Sequence, residues 1–238
     1  MTALIRGEMV KVRTTRTAFG FGLACIALVL LTVLVTLLAG DPTSAVEKQR
    51  VLSVGGVLSI PLLLFGIVGA TAEFRHRTLA ASLLISPNRG KLTFARMIAY
   101  GITSVLVGIA MLVVAFAIGL PLLSGSAGPS LELSNYWEIA WGGLLCLLLM
   151  TMLGVGVGTL VRNQVVAIVG ALLWLFILEE LVVLISEEAY DYTLKNVAFS
   201  LGGGGDLHPM GTAALTLATW AAVFVVAGVI VDARRDVQ

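Results

Sequence analysis

Residues 51–72 read VLSVGGVLSIPLLLFGIVGATA, a run without a charged side chain. A helix of about 20 apolar residues crosses the ~30 Å hydrocarbon core of a bilayer, because its backbone polar groups are satisfied within the helix. This run therefore predicts a transmembrane helix. Working outward along the chain, the same pattern recurs five times and predicts spans at residues 18–39, 97–120, 139–160, 165–185 and 212–231.

The composition agrees with six spans. Of the 238 residues, 58% are hydrophobic and only 12% are charged, whereas a soluble domain carries about a quarter charged residues. The connections are too short for a separate soluble domain. We therefore expect an all-α integral membrane protein with a single transmembrane domain over residues 1–238.

The basic residues predict the orientation. If the N-terminus is cytoplasmic, only Lys48, Arg50 and Lys195 of the 15 Lys and Arg residues lie outside. Such an excess of basic residues in inner loops is typical of membrane proteins. We expect a multi-pass protein of the cell (inner or cytoplasmic) membrane, in contact with lipid, with both termini cytoplasmic.

The sequence does not indicate nucleic-acid binding, a disulfide framework, a metal site or catalysis. A net charge of +1 gives no basic field for nucleic acid. The cysteines, Cys25 and Cys146, lie in apolar runs, and neither histidine lies well inside a span. We therefore expect no disulfide framework, no metal site and no catalytic residues.

The segment before the first span, residues 3–16, predicts an interfacial amphipathic helix. Its apolar residues recur at helical spacing, while charged residues fill the other surface. The apolar residues are Leu4, Ile5, Met9 and Val12, and the charged ones are Arg6, Glu8, Lys11, Arg13 and Arg16. The alternative is a solvated basic tail that only fixes the topology.

The connection between spans two and three, residues 73–96, is longer than the four to six or so residues that a connector needs. Its first half, residues 73–86, predicts a cytoplasmic amphipathic helix that Pro87 ends. Such a helix is suited to docking a partner, and the alternative is an inner-leaflet helix without one. On the other side of the membrane, residues 187–199 predict a short external helix before the last span.

Several short motifs, in this order around six spans, resemble the permease subunits of the ABC type-2 (ABC-2) transporter family. The N-terminal helix carries Glu8, Lys11, Arg13 and Thr14. The loop after span two carries Gly69, Glu73, Phe74, Thr78, Pro87, Arg89 and Lys91, with Arg77 where the family often has Gly. Residues 161–164 after span four, Val-Arg-Asn-Gln, are also similar to the family.

The resemblance implies an exporter built from two six-span permeases, as a homodimer or a related heterodimer, and two cytoplasmic ATPase subunits. Residues 73–86 would be the coupling helix that docks on the ATPase, and residues 3–16 the connecting helix beside it. The implied coupling residues are Glu73, Phe74, Arg75, Arg77 and Thr78, and those of the connecting helix are Glu8, Lys11 and Arg13.

This chain lacks an ATP-binding loop of its own. The only Gly-Lys pair, Gly90-Lys91, is followed by Leu92 and has Ile85 where the motif needs its first glycine. We therefore expect no cofactor in this chain, with ATP and Mg bound by the partner subunit, and we expect this chain not to be an enzyme.

The adjacent acids Glu179 and Glu180 stand near the end of span five. Neighbouring helical residues point about 100° apart, so we expect the two carboxylates to have different surroundings, with Glu180 bordering the outer gate or substrate path. Alternatively, span five ends early and both reach water.

Two other functions remain open on the sequence. One is a membrane assembly or immunity protein with the same skeleton and no transport. The other is an intramembrane hydrolase, although Leu184 stands where its Glu-Glu-x-x-x-Arg motif needs Arg.

Overall fold

The computed structural model describes residues 1–39, 42–75, 89–125, 129–203 and 208–234, and over these ranges the secondary structure is helical throughout, without a strand. Helix α1 covers Thr2–Thr14, α2 Arg16–Ala39, α3 Ala45–Leu52, α4 Val54–Arg75, α5 Arg89–Leu123 and α6 Leu133–Val161. Helix α7 (Gln164–Leu173) continues through a π-helical turn (Trp174–Leu178) into α8 (Glu179–Val182). Helices α9 (Glu187–Asp191), α10 (Leu194–Leu201) and α11 (Met210–Arg234) follow.

Within the described residues, six helical stretches are long and apolar enough to cross a membrane, which confirms the predicted number of spans. They are Arg16–Thr36, Ala45–Arg75, Gly90–Leu123, Leu133–Val161, Gln164–Val182 and Met210–Asp232. The chain is therefore a multi-pass membrane protein.

The ends of the spans differ from the predicted ones. Helix α5 begins at Arg89, well before residue 97, and carries basic residues in its first turns. The helix of span five ends at Val182 rather than at residue 185. Leu184 and Ile185, which extended the apolar run in the sequence, are about four-fifths exposed. The apolar sequence thus continues for three residues beyond the end of the helix at Val182. Apolar character alone therefore does not determine where a helix ends.

Helix α6 is the centre of the bundle and packs between α4 and α11. A Cβ on Gly158 would lie 2.8 Å from the Ala70 Cβ of α4, and one on Gly156 would lie 2.7 Å from the Val225 backbone nitrogen of α11. Glycine allows such close approach of helix backbones in membranes. Two faces of α6 therefore touch two different helices without side chains between them.

The segment predicted as one external helix over residues 187–199 is two helices, α9 and α10. Leu194, Val197, Ala198 and Leu201 are all buried. They follow the i, i+3, i+4, i+7 spacing of one helix face, and this face packs against α4, α6 and α11. Helix α10 is therefore part of the bundle rather than a surface element.

Because consecutive spans alternate in direction, the loops fall at two ends of the bundle. We call the end that holds α1 and the α6–α7 turn the α1 end. The opposite end, with α3, α9 and the start of α10, is the α10 end.

Candidate functional site

Four charged side chains form a cluster at the α1 end. The Arg96 guanidinium donates from Nη2 to Glu73 Oε2 at 2.7 Å, and the Lys11 ammonium donates to Glu73 Oε1 at 2.7 Å and to Glu8 Oε1 at 2.6 Å. Arg96 Nε lies 3.8 Å from Glu8 Oε2. We call these residues, Glu8, Lys11, Glu73 and Arg96, the charge cluster.

The charge cluster is largely removed from solvent. Arg96, Glu8 and Glu73 are 3%, 4% and 6% exposed, and Arg96 also donates from Nη1 to the Ala70 carbonyl at 3.3 Å. Burial of an ion costs several kcal/mol unless it is paired. Partial burial opposes the charged form of Lys11, but its hydrogen bonds to Glu73 and Glu8 outweigh this effect and raise the pKa of Lys11. Pairing within the charge cluster thus offsets the burial of Glu8, Glu73 and Arg96.

Two members of the charge cluster come from the helices that flank residues 76–88, and the other two come from α1. Glu73 stands in the last turn of α4, Arg96 near the start of α5, and Glu8 and Lys11 one turn apart on α1. The cluster thus joins α1 to both helices that flank residues 76–88.

Two results of the sequence analysis change here. Glu8 was predicted only as part of the charged surface of α1, whereas the structure shows that it is buried with its carboxylate beside Arg96. Arg96 was not singled out at all. The signal was present, since Arg96 interrupts an otherwise apolar helical pattern.

The other predicted coupling residues lie close by. The Arg162 guanidinium stands 5.5 Å from the centroid of the Phe74 ring, and the exposed Arg75 donates to Gln164 Oε1 at 3.2 Å. Arg77 and Thr78 lie outside the described residues, as does most of the predicted coupling helix over residues 73–86. Phe74 and Arg75 therefore contact the α6–α7 turn of the same chain. On α1, the predicted connecting residue Arg13 is exposed.

The α6–α7 turn is fixed by Arg162. Its φ of 57° places it in the left-handed region, alone among the described non-glycine residues. Its guanidinium Nη2 donates to Asp232 Oδ1 at 2.5 Å and to the Asp232 carbonyl at 3.1 Å. This contact ties the end of α6 to the end of α11.

At the α10 end, the structure separates Glu179 from Glu180. Glu179 is 2% exposed. Its Oε1 accepts the Trp174 indole N–H at 3.0 Å and the Leu194 backbone N–H at 3.1 Å, and its Oε2 accepts the Lys195 backbone N–H at 2.9 Å. The carboxylate thus satisfies backbone donors that the first turn of α10 leaves without helical partners.

Glu180, in contrast to Glu179, is exposed to solvent. Its side chain is 48% exposed and pairs with the Lys195 ammonium, and it also accepts the Tyr190 hydroxyl at 3.3 Å. The different surroundings of the two acids agree with the 100° rotation per residue. Of these two neighbouring acids, Glu179 is the one enclosed by protein donors.

The π-helical turn explains why Glu179 faces the bundle. Ala167, Leu175 and Glu179 are buried on one side of span five. In a regular α-helix, steps of four residues advance about 400°, so the buried face would drift by about 40° each time. The i→i+5 winding over Trp174–Leu178 takes up more residues per turn and offsets this drift.

No group of three or more His, Cys, Asp or Glu side chains in the described ranges is placed to hold a metal ion. No protein-family model matches the chain, and a search of the curated proteins finds no match. The fold and its charged sites define a six-span helical membrane protein.

Proposed function

We propose that this protein is the permease subunit of an ATP-driven ABC exporter of the type-2 kind. In this proposal two copies form the translocation pathway, and a separate ATPase that binds ATP and Mg docks at the α1 end, which faces the cytoplasm. Six spans and the motifs that resemble the ABC type-2 family support it, and the charge cluster is the observation that carries it.

The charge cluster supplies a mechanical link of the kind that coupling needs. A partner that pulls on residues 76–88 applies force to the end of α4 and to the start of α5. These two helix ends are joined by the 2.7 Å contact between Glu73 and Arg96, and α1 is joined to them through Lys11. Separating a buried pair leaves an unpaired charge at a cost of about 3–5 kcal/mol. The three helices therefore move together more readily than apart.

Direct backbone contacts connect α4 to α11 across the bundle, by way of α6. Helix α4 contacts α6 through glycines such as Gly66 and Gly154, where a Cβ on Gly154 would lie 3.1 Å from the Gly66 Cα. On its other face, α6 contacts α11 at Gly156. Backbones in direct contact transmit a displacement without the slack of flexible side chains. In the proposed cycle, motion of α4 reaches α11 through α6.

The α10 end would hold the outer gate. Here Glu179 fixes the start of α10, and Glu180 with Lys195 lies on the exposed side of the same junction. Helix α10 lies against α4 and α11, the two helices at either end of the route described above. A shift of these helices would act on the Glu179 contacts and open the exit path that Glu180 borders.

Purification from the native membrane tests this function. A tagged copy of the full chain, extracted in mild detergent, should bring with it a chain that contains a Gly-x-x-x-x-Gly-Lys-Ser/Thr loop and hydrolyses ATP. Arg75→Glu should release this ATPase, because Arg75 is exposed beside residues 76–88. Arg50→Glu makes the same charge change at the α10 end and should retain it.

Two outcomes would contradict the proposal. If the wild-type protein carries no ATPase, the role of a non-transporting assembly protein takes its place. If Arg75→Glu and Arg50→Glu retain equal amounts of ATPase, docking at the α1 end is wrong.

A further inference from the structure

A cavity of about 150 Å³ lies between α4, α6, span five, α10 and α11 and opens on the surface of the subunit. Apart from Gly170, every residue that lines it has an aliphatic or aromatic side chain. Its walls include Leu153 and Val157 of α6, Ala167 and Trp174 of span five, and Trp220 of α11. An enclosed apolar cavity of about this volume can hold a benzene-sized molecule, so the volume and the lining of this cavity suit a ligand of that size.

One wall of the cavity is aromatic. The Trp174 and Trp220 rings meet edge to face, with centroids 6.0 Å apart at 70°. The Trp220 and Phe224 rings lie nearly parallel, with centroids 6.2 Å apart. Aromatic rings attract a further ring in edge-to-face or offset arrangements by about 0.5–1.5 kcal/mol beyond the area that they bury. The wall therefore favours a flat aromatic ligand over an aliphatic one of equal size.

The cavity offers little to a charged ligand. The Trp174 indole N–H is already donated to Glu179 at 3.0 Å. The carboxylate of Glu179 has its oxygens turned to the backbone of α10, where they accept the Leu194 and Lys195 N–H groups. A charge brought into such an apolar space would lose its hydration without a partner. The ligand is therefore uncharged.

The mouth of the cavity lies on span five. Val166 and Trp174 border it and are 57% and 39% exposed on the apolar outer surface of the subunit. In a single subunit the apolar surface of a membrane span lies against hydrocarbon, so a ligand reaches the cavity from the bilayer rather than from water.

We propose that this cavity is a binding site for an uncharged, single-ring aromatic molecule that enters from the bilayer. A lipid acyl chain is the competing occupant, but it loses more rotational freedom on binding than a rigid ring does. The site lies within one subunit and needs neither a second copy nor an ATPase. It therefore goes beyond the proposed function, and either can fail without the other.

Photolabelling of the purified full chain in phosphatidylcholine nanodiscs tests this site. The probe is 3-phenyl-3-(trifluoromethyl)diazirine, an uncharged single-ring compound whose carbene inserts into neighbouring side chains. Adducts at Leu153 and Val157 should saturate with probe concentration and fall by about tenfold with excess toluene, but not with heptane at an equal bilayer concentration. Adducts at the exposed Leu31 and Leu34 of α2 should rise in proportion to the probe and serve as the lipid-facing reference.

Larger side chains at cavity positions are compared with a matched substitution on α2, away from the cavity. A Cβ on Gly170, which lines the cavity, would meet nothing within 4 Å, and the same is true of Gly22 on α2. Gly170→Leu places a larger side chain at the mouth of the cavity and should reduce saturable labelling by about fivefold or more, whereas Gly22→Leu should leave it unchanged. Ala171→Leu, at another lining position, gives the same test should Gly170→Leu not fold.

Three results would overturn the proposal. Labelling at Leu153 and Val157 that stays proportional to the probe means that no site exists. Equal labelling of the filled variants and of Gly22→Leu places the binding elsewhere. Displacement by heptane as effective as by toluene assigns the cavity to hydrocarbon chains.

Discussion

The carboxylate of Glu73 and the guanidinium of Arg96 meet at 2.7 Å, which joins the last turn of α4 to the start of α5. Both groups are buried, and each has a second partner of opposite charge on α1. The interfacial helix and two spans are thus connected at one point. Loss of one member of this group affects all three helices.

The first prediction concerns the strength of this pair. Arg96→Met should destabilise the protein by about 3–5 kcal/mol, because it leaves the carboxylates of Glu73 and Glu8 buried with only Lys11. The double variant Glu73→Gln/Arg96→Met should recover much of this loss, since no unpaired charge remains at position 73. Thermal unfolding in detergent measures both, and the exposed Arg13→Met on α1 is the control. With Glu73→Gln alone measured as well, strictly additive losses would show that the two groups do not interact.

The second prediction concerns the cap on α10. Glu179→Leu removes the acceptor for the Leu194 and Lys195 backbone N–H groups. Exchange of these amides with deuterated solvent should accelerate by about tenfold or more, because an orphaned buried donor costs about 1–3 kcal/mol. Mass-resolved hydrogen exchange of the 194–201 segment measures the effect. Glu180→Leu, which leaves these bonds intact, should exchange at the wild-type rate, and equal rates in both variants would rule out the cap.

The third prediction concerns the contact of α6 with α11. Gly156→Ala places a Cβ 2.7 Å from the Val225 backbone nitrogen, so the two helices must separate. We expect a loss of about 1–3 kcal/mol in stability, seen as a lower melting temperature. Gly20→Ala on α2 is the control, since a Cβ there meets nothing within 4 Å. An unchanged melting temperature for Gly156→Ala would show that the helices are not in direct contact.

The fourth prediction concerns orientation. Single cysteines at Ser44, Ser130 and Lys195 should react with an impermeant thiol reagent applied to intact cells, whereas cysteines at Arg75 and Arg235 should not. The native cysteines interfere little, because Cys25 and Cys146 are 1% and 0% exposed, and both are replaced for the measurement. Labelling at Arg75 or Arg235 in intact cells would reverse the assigned orientation.

The number of spans could be predicted from the sequence, because bilayer thickness sets how long an apolar run must be. Their ends could not. Span five ends at Val182 within an apolar run, and α5 begins before its apolar run. Helix ends depend on capping partners that other parts of the chain supply, as Glu179 does for α10.

Charged groups were harder to place than apolar ones. The spacing of Leu4, Ile5, Met9 and Val12 predicted helix α1, yet it did not predict that Glu8, on the charged surface, is buried. Its position depends on Arg96, which is distant in sequence. The π-helical turn had no sequence signal either, because Trp174–Leu178 contains only residues that an ordinary helix also accepts.

The charge cluster pairs two carboxylates with two cations, so the group as a whole is electrically neutral. A single charge that crosses the membrane field exchanges about 2.3 kcal/mol per 100 mV. A neutral group that moves as one unit exchanges almost none of this energy. A displacement of the charge cluster as one unit would therefore be nearly insensitive to the membrane potential, and a voltage dependence at the α1 end would have to come from other charged side chains of these helices, such as the exposed Arg13 and Arg75.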